Sequence, residues 1–352
     1  MKIATKTIFA LRDFDGAVRE GAEELLRGGL VVFPTETVYG LGANALDAQA
    51  VRQIFLAKGR PQDNPLIVHI AERGQLEGIV EEQTKCARAL MEEFWPGPIS
   101  LIMKKTEAIP DEVSAGLVTV AVRMPDNEVA RAMIALAGVP VAAPSANTSG
   151  KPSPTLAMHA FEDLAGRVPL VIDGGPCRVG VESTVVDVTG EIPLILRPGD
   201  VTPEMIAAVC GDVRVHGAVL GELKKGEVCA SPGMKYKHYS PNAHVVVFTG
   251  NKKEVAKNVT TMYHNVKADG KNPLVVCLDD CAGYYAGMET VFIGADAHSA
   301  EAALFRVLRE ADENHFDSIL FHAQEQKMGL AVMNRIIRAA AHEIVVAREE
   351  NS

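Results

Sequence analysis

A chain of 352 residues, 47% hydrophobic and 23% charged, is ordinary globular material and long enough for two domains. Its formal charge of −10 argues against a general affinity for nucleic acid, since neutralising phosphate drives such binding. It has no apolar run of about 18 residues to span a membrane. Met1-Lys2-Ile3-Ala4-Thr5-Lys6 also lacks the apolar core of a secretory signal, so a cytoplasmic setting is expected.

In chain order, Val18, Ala22, Leu25 and Leu26 recur at helical spacing, and Gly28-Gly29 stops that helix. Leu30–Phe33 is a short apolar strand ending at Pro34. Val51, Ile54 and Phe55 form the stripe of a second helix whose last turn carries Lys58. Strands are expected at Leu66–Ile70, Ile99–Met103, Val118–Val122, Leu170–Ile172 and Val185–Val188, with helices near Cys86–Phe94, Val129–Ala137 and Leu156–Leu164. Thr202 and Pro203 open another helix as N-cap and first residue. So many strands among helices imply an α/β domain built on a large mixed sheet. From about Gly211 to Ala243 apolar periodicity fails, and so long a segment is either a linker or functional. The βα alternation then resumes through Val245–Phe248, Leu274–Leu278, Val291–Ile293 and Ile319–Phe321. Helices are expected across Glu254–His264, Ala300–Asn314 and Ala331–His342. The domains read as 1–211, a linker or lid at 212–243, and a smaller α/β domain at 244–352.

Six cysteines lie scattered without a Cys-x-x-Cys pair, so free buried thiols are expected. Cys277 and Cys281 have no second pair or histidine nearby in sequence to complete a zinc set. No metal site held by protein side chains is expected.

Gly40-Leu41-Gly42-Ala43-Asn44-Ala45 fits the form of a dinucleotide-binding turn, yet Pro34–Tyr39 separates it from the strand it should follow. P-loop and Gly-x-Ser-x-Gly signatures are absent. What remains is a set of donors. Lys58-Gly59-Arg60-Pro61 places two cations on a fixed backbone, and Pro144-Ser145-Ala146-Asn147-Thr148 sets small hydroxyls and an amide on a turn. A polyphosphate needs both. The plain alternative for Lys58 is a cation suited to its helix C-terminus. Thr35, Glu36 and Thr37 follow a strand, where α/β sheets place ligands. Arg123 ends another strand, a natural carboxylate clamp, with a surface ion pair as its alternative. Arg197 carries the same two readings, Ser183 follows a Gly-rich turn, and His69 within a strand fits a satisfied core histidine. Such a set favours chemistry by positioning and electrostatics over a nucleophile.

Phe33-Pro34-Thr35-Glu36-Thr37-Val38-Tyr39-Gly40-Leu41-Gly42, Lys58-Gly59-Arg60-Pro61 with Asn64-Pro65-Leu66, Trp95-Pro96-Gly97-Pro98, Ser145-Ala146-Asn147 and Glu182-Ser183-Thr184-Val185 closely resemble the YrdC-like family, in order, from about Ala17 to Val209. With Ser-Pro-Gly-x-x-Tyr-x-His-Tyr-x-Pro at 231–241 and the second domain, the chain resembles the longer, two-domain threonylcarbamoyl-AMP synthase form. The resemblance implies a YrdC-like domain with a large twisted mixed sheet flanked by helices, plus a smaller Rossmann-like α/β C-terminal domain. It implies a nucleotidyltransferase that condenses L-threonine, bicarbonate or carbon dioxide, and ATP into threonylcarbamoyl-adenylate and releases pyrophosphate. Mg2+ would arrive carried by the nucleotide. The product would pass to a tRNA threonylcarbamoyl-transfer machinery, with tRNA itself only an indirect partner.

Carried over onto matching positions, Thr37, His69, Arg123, Ala143 and Ser183 would hold threonine. Lys58, Arg60, Asn64, Thr119, Ser145, Asn147, Ser153, Arg197 and Tyr236 would serve ATP and the developing pyrophosphate. Lys58, Arg60, Ser145 and Asn147 would be nearest the chemistry, and Tyr236 would belong to a lid. Two other readings stay open. One is an RNA-binding module of this fold without catalysis. The other is a carbamoyl-transfer enzyme, although the zinc-finger and acylphosphatase-like segments usual there are absent.

Overall fold

The structure is a computed structural model of the chain, and it describes residues 3–221, 231 and 239–347. The chain divides into two compact units, Met1–Ser149 with Ser153–Lys235 and Gly150–Pro152 with Tyr236–Ser352. Tyr236, expected in a lid, lies outside the described residues, as does most of 231–241.

The first unit is built on strands β1 (Lys6–Phe9), β2 (Val31–Phe33), β3 (Gly40–Asn44), β4 (Ile67–His69), β5 (Ile99–Lys104), β6 (Thr119–Arg123), β7 (Val141–Ala143), β8 (Leu170–Asp173), β9 (Thr184–Asp187), β10 (Leu194–Arg197) and β11 (Arg214–Val215). Among the described residues they form one sheet in the order β1-β8-β2-β3-β7-β4-β6-β5-β9-β10-β11. It is mixed: β4 runs parallel to β6, while β3 and β4 both run antiparallel to β7. Val31, Val32 and Phe33 are all fully buried, as strands covered on both faces must be.

Gly40 and Gly42, which fit the form of a nucleotide turn in sequence, lie in strand β3. A Cβ on Gly42 would stand 2.7 Å from Val141 Cγ1 and 2.8 Å from the Phe33 ring, so only glycine lets β2, β3 and β7 pack this closely. Part of the segment expected to be structureless is ordered too. Arg214–Val215 pairs with Leu194–Ile195, and Ala218 and Val219 in the turn behind it are buried. A two-residue edge strand has no periodicity to detect.

One cysteine expectation fails. Cys86 and Cys210 form a disulfide with Cα atoms 5.7 Å apart, joining helix Lys85–Phe94 to helix Pro203–Cys210. They stand 124 residues apart, so only the packing of those helices brings them together. Cys177, Cys277 and Cys281 are free thiols.

In the second unit β12 (His244–Gly250), β13 (Pro273–Cys277), β14 (Thr290–Phe292), β15 (Ser318–His322) and β16 (Ile344–Ala347) make a parallel sheet in the order β14-β13-β15-β12-β16. Helix Lys252–Ala268 packs on the face carrying Val246, Phe248, Val275 and Leu320. Within this unit Ser240 N donates to the Gly150 carbonyl (3.0 Å), and Arg309 Nη2 donates to the Pro152 carbonyl (2.6 Å). Among the described residues no helix is long and apolar enough to cross a membrane.

Candidate active site

Lys58 is placed by its helix. Asp47 caps Ala48–Lys58 by accepting from Gln49 N and Ala50 N, and Gly59 ends it in the left-handed conformation (φ +62°). The chain therefore turns just after Lys58 and sends its side chain inward, where the residue is 2% exposed. Its ammonium donates to the carbonyls of Ser145 and Asn147, and the Lys58 carbonyl accepts from Ser149 N at 3.1 Å. The two motifs singled out in the sequence are thus one structure, and the helix-terminus reading of Lys58 gives way to this contact. Within the second motif Ser145 donates to Asn147 Oδ1 at 2.5 Å, and Asn147 Nδ2 donates to the Thr148 carbonyl at 2.8 Å.

Arg60 is half-buried, with its guanidinium 6.0 Å from the Phe55 ring centre. It donates to the carbonyls of Asn64 (3.2 Å) and Pro65 (3.3 Å). Asn64 is buried, Thr119 opens β6, and Ala143 closes β7 opposite Ile67.

Arg123 is 3% exposed, which removes the surface ion-pair reading. It closes β6 directly opposite His69 of β4. Its Nε donates to the Gly97 carbonyl (3.2 Å), its Nη1 to Thr37 Oγ1 (2.9 Å), and its Nη2 lies 2.6 Å from Glu36 Oε2. Thr37 is fixed in turn by Thr35, whose hydroxyl lies 2.9 Å from its own. The Trp95–Pro98 motif enters through the Gly97 carbonyl. His69 is fully enclosed, with Nδ1 3.2 Å from the Ile67 carbonyl; burial first, and then the Arg123 charge, lower its pKa to about 3. It stands neutral at any ordinary pH.

Arg197 is also buried. It donates through Nε to the Ser183 carbonyl (3.0 Å) and through Nη2 to Ser183 Oγ (3.1 Å), and Ser183 pairs with Ser100 at 2.8 Å. Ser153 donates to Glu182 Oε1 at 2.5 Å. Gly199 makes this close approach workable, since a Cβ there would meet Thr184 N at 2.5 Å. The hydroxyls of Ser145, Ser153 and Ser183 thus bond to an amide, a carboxylate and another hydroxyl, an arrangement for positioning rather than nucleophilic attack. Sequence reasoning placed Glu36 beside Thr35 and Thr37 without giving it a role, and left Ser100 and Glu182 out of the candidate set. Glu36 and Glu182 stand inside motifs already quoted, while Ser100 is one of many serines until β5 and β9 pair.

The fold and this donor set define a class: an α/β protein whose large mixed sheet carries buried arginines, a fixed lysine and short hydroxyls. Residues 23–199 match the Sua5/YciO/YrdC family model, described as telomere recombination, and residues 201–341 match the model of the threonylcarbamoyl-AMP synthase C-terminal domain. A threonylcarbamoyl-AMP synthase of Pyrococcus abyssi is 46% identical over 93% of this chain and 95% of its own length. That of Bacillus subtilis is 42% identical over 94% and 95%. The crystal structure of P. abyssi Sua5 complexed with L-threonine superposes with a TM-score of 0.90 at 43% identity, covering 98% of this chain and all of that one. The chain belongs to the Sua5/YciO/YrdC family, in its two-domain threonylcarbamoyl-AMP synthase form.

Proposed function

We propose that the chain synthesises L-threonylcarbamoyl-adenylate from L-threonine, bicarbonate or carbon dioxide, and ATP, with release of pyrophosphate. What carries this reading is the run of 46% identity through both units to a relative named for that activity.

In this reading threonine's amine captures carbon dioxide as a carbamate, and a carbamate oxygen attacks the α-phosphorus of ATP. Thr37, His69, Arg123, Ala143 and Ser183 hold the amino acid, with Arg123 on its carboxylate. Lys58, Arg60, Asn64, Thr119, Ser145, Asn147, Ser153 and Arg197 serve the nucleotide. Lys58 is already held by two carbonyls beside Ser145 and Asn147. It therefore meets charge growing on the departing pyrophosphate without reorganising. Mg2+ arrives with ATP as part of the substrate. Neutral His69 leaves Arg123 as the positive charge offered to the carboxylate at the β4–β6 step. The product passes to the enzymes that load threonylcarbamoyl onto a tRNA adenosine, and since ATP, threonine and tRNA share the cytoplasm, we place the reaction there.

The test is pyrophosphate release with ATP, threonine and bicarbonate each omitted in turn. All three are expected to be required, and serine, lacking one methyl, is expected to lose about 10-fold or more. Equal turnover with glycine overturns the threonine assignment. Salt-dependent RNA binding without pyrophosphate would favour the binding-module reading instead.

A further inference from the structure

Glu36 is a carboxylate whose side chain is 2% exposed, with Arg123 as its cationic neighbour among the described residues, at 2.6 Å. That contact is an ion pair off the hydrogen-bond direction, and among the described residues neither carboxylate oxygen of Glu36 has an aligned donor. A carboxylate can accept about four hydrogen bonds, and burying it without them is costly. The surroundings are not loose. The Glu36 carbonyl accepts from Val179 N at 2.7 Å, and Thr35 and Thr37 are bonded to each other on either side. Cys177 is close enough that burial, and then the Glu36 charge, push its thiol up, so it stands as a neutral thiol and adds no second negative charge beside Glu36. Arg123 is held on two further sides, by Gly97 and Thr37, and keeps its place if the Glu36 contact opens.

We infer that the Glu36–Arg123 pair reads the zwitterion of the amino acid: Arg123 takes the α-carboxylate and Glu36 accepts from the α-ammonium. The inference rests on the proposed threonine site and deepens it. An α-amino acid carries a negative and a positive group a few ångströms apart. A buried pair of opposite charges matches it, and the pocket stays neutral before and after binding. Without the ligand each charge compensates the other, which avoids an unpaired buried ion. With the ligand, Glu36 exchanges a poorly aligned contact for aligned N–H donors. The site is thereby specific for α-amino acids over hydroxy acids, which lack the ammonium, and amino alcohols, which lack the carboxylate.

Equilibrium binding of L-threonine, its des-amino analogue (R)-3-hydroxybutyrate and its des-carboxylate analogue L-threoninol to the full chain tests this. The unsubstituted protein is expected to bind either analogue about tenfold or more weakly than threonine, the scale of one charge-assisted hydrogen bond. Glu36→Gln is expected to weaken threonine by a similar factor and leave (R)-3-hydroxybutyrate nearly unchanged. If Glu36 were only scaffolding for Arg123, the substitution would weaken both equally, and that result overturns the inference. Should Glu36→Gln not fold, the unsubstituted protein decides: (R)-3-hydroxybutyrate binding as tightly as threonine overturns it. Failure of the unsubstituted protein to bind threonine at all overturns the threonine site itself, a different result.

Discussion

Among single residues, Lys58 and Arg60 differ more in the fold than in the sequence. Lys58 is buried and holds two carbonyls, so Lys58→Met is expected to lower the rate by about 10²-fold and also to cost about 1–3 kcal/mol of stability. Half-buried Arg60 should separate these effects: Arg60→Ala is expected to lose rate on a similar scale with little change in melting temperature. Comparing both variants by pyrophosphate release and thermal unfolding checks this, and equal melting losses would contradict it. His69 offers a pH test. Its folded pKa, about 3, lies below the ordinary 6.5, so the unfolded chain binds the extra proton between those values. The stability linked to His69 is therefore complete above about pH 6.5 and is lost as pH falls toward 3. His69→Asn should make the fall in melting temperature between pH 7 and pH 4 shallower than in the parent.

Elements show where sequence reading succeeds and where it stops. Helix Ala48–Lys58 was legible from its apolar stripe, Val51, Ile54 and Phe55, and the structure adds an Asp47 cap and a Gly59 stop that agree with it. Strands β4, β5 and β9 were legible as apolar runs. Strand β3 was not, since Gly-Leu-Gly-Ala-Asn has low strand propensity and is held there by the packing of Phe33 and Val141 against its glycines. The same limit applies to the site. Lys58, Arg60, Ser145 and Asn147 announce themselves by charge and turn chemistry. The partners Ser100 and Glu36 matter only once β5 meets β9 and the loop after β2 reaches Arg123. The Cys86–Cys210 link is the extreme case, and it carries a prediction. Closing so long a loop restricts the unfolded chain by about 5 kcal/mol in the chain-entropy account. Reduction is thus expected to lower the melting temperature of the first unit by roughly 10 °C. Cys210→Ser should match the reduced protein and no longer respond to reductant; identical melting of the oxidised and reduced protein would contradict the link.

At the scale of the whole molecule, the order of motifs foretold two α/β units, each with its own sheet. A chain ending at residue 243 is expected to fold and to release pyrophosphate more slowly than the full chain, and one ending at residue 211 to lose much of the remaining rate. Limited proteolysis and the pyrophosphate assay on both truncations check this. Three residues complicate any such cut. Gly150–Pro152 lie between Asn147 and Ser153 in sequence, yet they belong to the second unit, where Ser240 and Arg309 bond their carbonyls. The second unit is therefore made of two stretches of the chain, one interior and one C-terminal. Anyone grafting it onto another scaffold must carry an interior splice as well as the tail. A chimera joined only at the linker would leave Ser240 and Arg309 facing a foreign loop.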